Sequence, residues 1–380
     1  MTADTFDEIQ QAVHSHGPEA GVDLLVQKLK EEKNYPQLFE ARMMHKRHQL
    51  GLPLIQAGSI DDIPADKRSA YEQAFTEAAR ETGSLFLADG NILRAWPYFR
   101  AIGDRAPIAE AIEKLESVED GVLEMALEER VNPRKGFELM LEHLGICRAI
   151  TYFEQYPDPK SREACLALLV RTLHHELVEN LRRAIAQRDG HAPDASHVAD
   201  LIAGRDWLFG DMDYYVDTSH LVSVIRYALD LTDPETLRLA LELCDYGAHL
   251  SLQFKYSADP PFDDVYVDHA AYFRALAGEN VDDAVAHFRQ KISNDSGGAP
   301  AQVLVALLVR LKRYRDAIQI SLDHLSAVPP NQLACPSVFE LCQLAGDYEL
   351  LAKLARERGD LLSFTAAALD SSARIPSGTV

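Results

Sequence analysis

The stretch LADGNILRAWPYF at residues 87–99 is the most informative part of this sequence about the fold. Gly90 separates two apolar segments with helical spacing, and glycine readily ends a helix in a tight turn. Ala95 comes early in the second segment, where a small side chain lets two helix backbones approach. Phe99 follows one turn later, where a large ring fills the groove to the next element. The stretch therefore predicts two antiparallel helices joined by a short turn.

Three other stretches repeat parts of this pattern. They are LAGENVDDAVAHF at 276–288, LKRYRDAI at 311–318 and LAGDYELLAKL at 344–354. The pattern resembles the tetratricopeptide repeat (TPR), whose helical hairpins stack into a solenoid, although the chain lacks an even period of about 34 residues. The resemblance covers roughly residues 84–115 and 270–360. We expect an all-α fold, with antiparallel helical hairpins stacked as an irregular TPR-like solenoid or as another helical array.

The rest of the chain also shows apolar residues at helical spacing, broken by short polar, glycine or proline connections. Composition divides it into sections. We predict N-terminal helical hairpins over 1–130, a central section rich in histidine and aromatic residues over 131–277, C-terminal TPR-like hairpins over 278–370, and a flexible tail over 371–380.

The charge balance of the sequence excludes some classes of partner. Aspartate and glutamate number 59 against 38 lysine and arginine, which gives a formal net charge of -21. Nucleic-acid affinity comes largely from lysine and arginine, so neither nucleic acid nor an anionic membrane surface is an expected partner. The N-terminus shows no export signal and no apolar run is long enough to span a membrane, which predicts a cytoplasmic protein.

Histidines recur on successive predicted helices of the central section, with acids at helical spacing. Such pairs lie on one helix face and could bind a transition metal or transfer protons. Acids are so frequent here that chance pairing is the competing explanation. The candidate pocket consists of His175, Glu179, Tyr215, Asp217, His220, Asp245, His249, Tyr266, Asp268 and His269; the metal-ligand candidates among them are His175, His220, His249 and His269.

Two of these histidines share a local motif. Tyr-Val-Asp comes shortly before His220 and again directly before His269. The aspartates, Asp217 and Asp268, are plausible helix N-caps, or they could orient an imidazole.

The helices around these motifs resemble the questin oxidase-like family in HLVSVIRYALDL at 220–231, LRLALELC at 237–244 and HAAYFRAL at 269–276. That family consists of helical proteins with histidines on several pocket-lining helices, and it includes a Baeyer-Villiger-type oxidation. The resemblance covers about 60 residues without a strict motif, so it implies a histidine-lined pocket rather than that reaction.

Two functions follow as expectations. The first is a helical-repeat protein that binds a peptide or protein partner with basic residues. The alternative is an enzyme, or a metal or small-molecule binder, that uses the central His/Asp/Tyr pocket. No cofactor is identified, because neither GxGxxG nor GxxxxGK[ST] occurs in the chain. The two functions differ in one respect: an enzyme should gather the four candidate histidines at one cavity, whereas a scaffold should scatter them.

Overall fold

The computed structural model describes residues 3–54, 63–117, 121–156, 158–292 and 298–373. Regular structure in these ranges is helical, apart from an isolated antiparallel bridge between Ser257 and Asp264. The predicted all-α class is therefore confirmed for the described residues. None of the helices in these ranges is both long and apolar enough to cross a membrane.

The chain forms two compact units, Met1–Gly145 and Ile146–Val380. The boundary falls inside a helical stretch, Pro133–Glu154, at Gly145, whose φ of 81° and ψ of 167° are not helical. The helices up to this boundary are α1 Ala3–His16, α2 Pro18–Glu31, α3 Tyr35–Gln49, α4 Ala65–Ala88, α5 Ile92–Ala101, α6 Ala106–Glu113, α7 Val122–Leu127 and the interrupted α8 Pro133–Glu154.

In the first unit, α4 and α5 form the hairpin predicted from residues 87–99. Gly90 has a φ of 76° in the turn, and the Asn91 side chain caps α5 by accepting a hydrogen bond from the Arg94 N–H at 3.1 Å. Ala95 and Phe99 are both fully buried. The Phe99 ring lies so close to Gly83 that a Cβ there would be 2.6 Å from Cε2 of the ring. Small residues on one helix thus make room for the aromatic ring of the other.

The second unit continues with α-helices joined by connections of different lengths, the longest of which include 203–217 and 250–264. In its described residues, single 3-10 turns occur at Asp206–Phe209, Ala228–Asp230, Leu252–Phe254 and Pro330–Gln332. Its α-helices are α9 Pro159–Asp189, α10 Val198–Ile202, α11 Thr218–Tyr227, α12 Pro234–His249, α13 Val265–Leu276, α14 Val281–Ile292, α15 Ala299–Arg310, α16 Tyr314–His324, α17 Val338–Ala345, α18 Tyr348–Glu357 and α19 Leu361–Ala373.

From α12 onward, each helix packs on the helix before it and on the helix after it in the chain. The three C-terminal turns quoted from the sequence join α13 to α14, α15 to α16 and α17 to α18. The section boundary that composition suggests at residue 277 lies in the turn between α13 and α14, and α13 packs on both α14 and α15.

At the C-terminal end, α19 runs to Ala373, so residues 371–373 belong to a helix and not to the expected tail. The remainder of that tail, 374–380, lies outside the described residues.

Candidate functional site

The candidate pocket residues lie on α9, α11, α12 and α13 or, for Tyr215 and Asp217, just before α11; α11 and α12 pack on each other and on both α9 and α13. The closest approach is between α12 and α13. A Cβ on Gly247 of α12 would lie 2.2 Å from Cδ1 of Tyr266 on α13, so only glycine leaves room for this ring. Tyr266 is 1% exposed, and burial raises the pKa of its hydroxyl well above the ordinary value. Its role is therefore packing.

The four candidate metal ligands have different environments. His175 and His249 are exposed, His220 is half-buried and His269 is buried. His249 Nδ1 donates to the Asp245 carbonyl, 2.8 Å away, and the imidazole ring stacks on Phe209. Within the part of the chain that the structure describes, no three His, Cys, Asp or Glu side chains form a group that could hold a metal ion.

Several other candidates are engaged in ion pairs and backbone contacts. Asp245 accepts from Arg274 at 2.6 Å, and Glu179 accepts from Arg182 at 3.2 Å. The Tyr215 backbone N–H donates to the Tyr246 hydroxyl at 2.8 Å. The contacts of Asp245 and Tyr215 tie neighbouring segments together, whereas the pair of Glu179 and Arg182 lies within α9.

One of the two predicted N-caps is confirmed. Asp217 caps α11, accepting from the backbone N–H groups of Ser219 and His220 at 2.8 and 3.3 Å. The prediction for Asp268 is wrong, because α13 begins before it and Asp264 is the cap, accepting from the Val267 N–H at 3.2 Å.

Asp268 is instead a fully buried carboxylate with hydrogen-bond donors on α14. It accepts from His287 Nε2 at 2.7 Å, from Lys291 Nζ at 2.9 Å and from the Asp264 N–H at 2.9 Å. Burial alone would lower the pKa of Lys291, but the hydrogen bonds to Asp263 and Asp268 raise it. A buried charge needs such partners, and this one joins α13 to α14.

Another carboxylate, that of Glu242, hydrogen-bonds to two histidines and was not predicted from the sequence. Glu242 on α12 binds His174 Nε2 at 2.8 Å, His197 Nδ1 at 2.7 Å and the Val198 N–H at 2.9 Å. Burial favours the neutral acid, but these hydrogen bonds outweigh it and lower the pKa of Glu242 to about 2. The signal for His174 was present, since it lies on the buried face of α9 with Val170.

His269 differs from the other candidates in its burial, its hydrogen bonds and its pKa. Its side chain is 1% exposed, and Nδ1 lies 2.6 Å from the Val265 carbonyl oxygen. A carbonyl only accepts, so Nδ1 carries the hydrogen and Nε2 carries the lone pair. Among the described residues Nε2 has no hydrogen-bond partner. Burial lowers the pKa of His269 to about 4, although the bond to Val265 opposes this shift, so the imidazole is neutral at pH 7.

A cavity of about 470 Å³ has His269 in its wall. The Phe262 ring stacks on the imidazole with centroids 4.1 Å apart and forms an apolar part of the wall with Leu229 and Ala258. The polar part of the wall consists of Arg226 from α11 together with Ser257 and Asp259 from the loop before α13.

Two loops of the same unit expose large apolar side chains beside each other. Residues 211–217 precede α11 and residues 251–256 follow α12. They touch where Ser251 Oγ donates to the Asp211 carbonyl at 3.1 Å and where the Tyr214 and Phe254 rings lie 5.2 Å apart. We call this the acidic loop surface: its exposed apolar side chains are Met212, Tyr214, Leu252 and Tyr256, and its exposed acids are Asp211, Asp213 and Asp217.

The cavity at His269 and the acidic loop surface are two candidate sites for function. No protein-family model, curated protein or solved structure matches this chain, and what the two sites do must be inferred from their own chemistry.

Proposed function

We propose that this protein binds a protein or peptide partner, and that the acidic loop surface receives a segment of the partner that is both basic and apolar. The observation that carries the proposal is the cluster of exposed apolar side chains beside three exposed aspartates. Leu252 is 85% exposed and Met212 is 72% exposed. Contiguous exposed apolar side chains rimmed by polar ones are typical of interaction sites.

The local charge favours a basic partner. Asp211, Asp213 and Asp217 are exposed on a chain whose net charge is -21. Lys255 of the second loop is directed away from an ion pair with them, since its Nζ donates to the Ala248 carbonyl at 2.9 Å. Complementary charge accelerates association and excludes wrong partners, so lysine or arginine beside apolar residues is the fitting chemistry.

The contacts between the loops support a preformed site. Gln253 Nε2 donates to Met212 Sδ at 3.4 Å, and the Thr218 and Tyr256 hydroxyls lie 3.1 Å apart. A surface that is already ordered loses less entropy when a partner binds.

The fold is compatible with the same role. The successive packing of α12 to α19 supports a TPR-like stack of hairpins, and such stacks commonly present binding surfaces. The separate environments of His175, His220, His249 and His269 support binding over the alternative of an enzyme with a shared histidine centre.

The experiment measures fluorescence anisotropy of a labelled synthetic amphipathic helix made of lysine and leucine. A second peptide with glutamate in place of lysine reports the contribution of charge. Burying a leucine side chain contributes about 1.5–3 kcal/mol, so we expect Met212→Ser/Leu252→Ser to weaken binding at least ~10-fold. We expect Asp211→Asn/Asp213→Asn to weaken it more at low salt than at high salt, because salt screens exposed charges.

Matched controls are available elsewhere on the chain. Leu361 and Leu362 are 80% and 83% exposed, so Leu361→Ser/Leu362→Ser removes equal apolar surface from another place. Glu110→Gln/Glu116→Gln makes the same change in net charge at exposed positions of the other unit. The proposal fails if wild-type protein does not bind the lysine peptide, if it binds the glutamate peptide equally, or if the loop variants bind as the controls do.

A further inference from the structure

The Nε2 atom of His269 is buried and has no hydrogen-bond partner among the described residues, which is unusual in a native protein. More than about 90% of buried polar groups in native proteins have a hydrogen-bond partner, because an unpaired buried group is destabilising. His269 is 1% exposed and its Nε2 is unpartnered among the described residues. The neighbouring buried side chain, Asp268, has partners on every side. The Asp268 carboxylate is thus hydrogen-bonded, whereas Nε2 of the adjacent His269 is not.

The tautomer of the His269 imidazole determines which chemical group could form a hydrogen bond with Nε2. With Nδ1 donating to the Val265 carbonyl at 2.6 Å, Nε2 is a hydrogen-bond acceptor. It therefore needs a donor. The bond to Val265 also fixes the ring, which is in addition stacked on Phe262 with centroids 4.1 Å apart. A fixed acceptor recognises a donor at one position.

The cavity has the size and polarity of a small-molecule site. Its volume of about 470 Å³ falls in the range of ligand pockets, roughly 300–1,000 Å³. Solvent exposure differs along its wall: His269 is buried, whereas Arg226 is exposed. A charged group is least costly to place at the exposed end, where water still solvates it, and a neutral group fits the buried end.

We propose that the cavity at His269 binds a small organic acid that also carries a hydroxyl group. The carboxylate pairs with the Arg226 guanidinium at the exposed end, and the hydroxyl donates to His269 Nε2 at the buried end. Phe262 and Leu229 cover the carbon skeleton between them. Nε2 is closed to solvent, so the ligand reaches it as the loop residues of the wall, Ser257, Ala258 and Asp259, shift outward while Phe262 stays on the ring.

A hydroxyl is a better match than an ammonium at the buried end. Burial is the main reason why the surroundings of His269 disfavour positive charge; Arg226 adds to this effect, whereas the Val265 carbonyl and the Asp268 carboxylate oppose it. An amino acid in the same position would bring its ammonium into those surroundings. The class of ligand is therefore a hydroxy acid, and amino acids serve as the comparison that tests it.

The test is isothermal titration calorimetry of the full chain with matched pairs of acids. L-malate is compared with succinate, and L-lactate with propionate and L-alanine; each pair differs in the group that faces Nε2. We expect at least one hydroxy acid to bind at least ~10-fold more tightly than its counterparts. We expect His269→Phe to abolish this advantage and Arg226→Gln to weaken both members of a pair.

A measurement on the unmodified protein guards against a variant that does not fold. Long-range ¹H–¹⁵N correlation spectra of ¹⁵N-histidine protein report the tautomer and the Nε2 resonance of His269. That resonance should move when the preferred hydroxy acid is added and should not move with its matched control. The proposal is overturned if no hydroxy acid in the panel binds at millimolar concentration, if L-alanine or the matched controls bind equally well, or if the Nε2 resonance stays in place.

Discussion

The Tyr266 ring lies directly against the backbone of Gly247, so that a Cβ on this glycine would be 2.2 Å from Cδ1 and 2.3 Å from Cε1 of the ring. Both residues are buried, at the contact between α12 and α13. The position of α13, and with it His269, depends on this approach of the two helices.

Gly247→Ala should therefore destabilise the second unit, even though alanine favours helix formation over glycine by ~1 kcal/mol. Overpacking of a core costs about 1–3 kcal/mol, so after the gain in helix propensity we expect a net loss of up to about 2 kcal/mol in urea denaturation. The double variant Gly247→Ala/Tyr266→Leu is the informative comparison, because a smaller side chain at position 266 removes the clash. If the clash is the cause, the double variant loses less stability than the sum of the single variants. Additive losses would contradict it.

Adjacent histidines on α9 provide a second test. His174 is 9% exposed and lies 2.8 Å from the Glu242 carboxylate, whereas His175 is exposed. We expect His174→Ala to lower the free energy of unfolding by about 1–3 kcal/mol, because it leaves a buried carboxylate oxygen without one of its donors. His175→Ala should change it by less than about 0.5 kcal/mol. Equal effects of the two substitutions in chemical denaturation would refute the assignment.

The hairpins were predictable because their determinants are local. Gly90, Ala95 and Phe99 lie within one short stretch, and the turn, the close approach and the buried ring follow from residue size and backbone freedom. The same reasoning predicts that Ala284 and Phe288 are buried, which the structure confirms.

The candidate site was less predictable because its contacts join distant segments. His175 was selected for its spacing from Glu179, but the apolar stripe of α9 places His174 on the buried face. The partners of Asp268, His287 and Lys291, lie on the next helix, and periodicity within one helix gives no information about them. His269 was identified, but the wall opposite it comes from an irregular loop that has no periodic pattern.

Acid stability should depend on Glu242. Its folded-state pKa of about 2 lies below the ordinary value of 4.5, so the carboxylate stabilises the protein above pH 4.5 and this contribution is lost as the pH falls toward 2. His197 acts in the opposite direction: the hydrogen bond to Glu242 raises its pKa, so its contribution is present below the ordinary value of 6.5 and is lost at higher pH.

We therefore expect Glu242→Gln to be most destabilising near pH 5–6, by on the order of 1–3 kcal/mol, and progressively less so toward pH 3. Urea denaturation at several pH values measures this difference. Glu235→Gln is the matched control, since Glu235 lies on the same helix with a side chain that is 78% exposed. A Glu242→Gln effect that stays constant with pH would show that the carboxylate is not held in its charged form.

His269 makes a different contribution to the pH dependence. Its folded-state pKa of about 4 lies below the ordinary value of 6.5, because burial disfavours the imidazolium. Between these values the unfolded chain takes up a proton that the folded chain does not, so stability falls as the pH falls from 6.5 to 4. At about 1.4 kcal/mol per pKa unit, the loss amounts to about 3 kcal/mol.

His269→Phe removes this titration and also removes the unpartnered nitrogen. We expect the variant to be at least as stable as wild type at pH 7 and to gain about 3 kcal/mol relative to wild type by pH 4. His175→Phe, at an exposed position, should show no such gain. If the free energy of unfolding of wild type and of His269→Phe changed with pH in the same way, the buried imidazole would be accepting a proton without unfolding. A gain in stability on its removal would instead mark a side chain whose placement costs the fold free energy, as expected of a residue retained to hold a ligand.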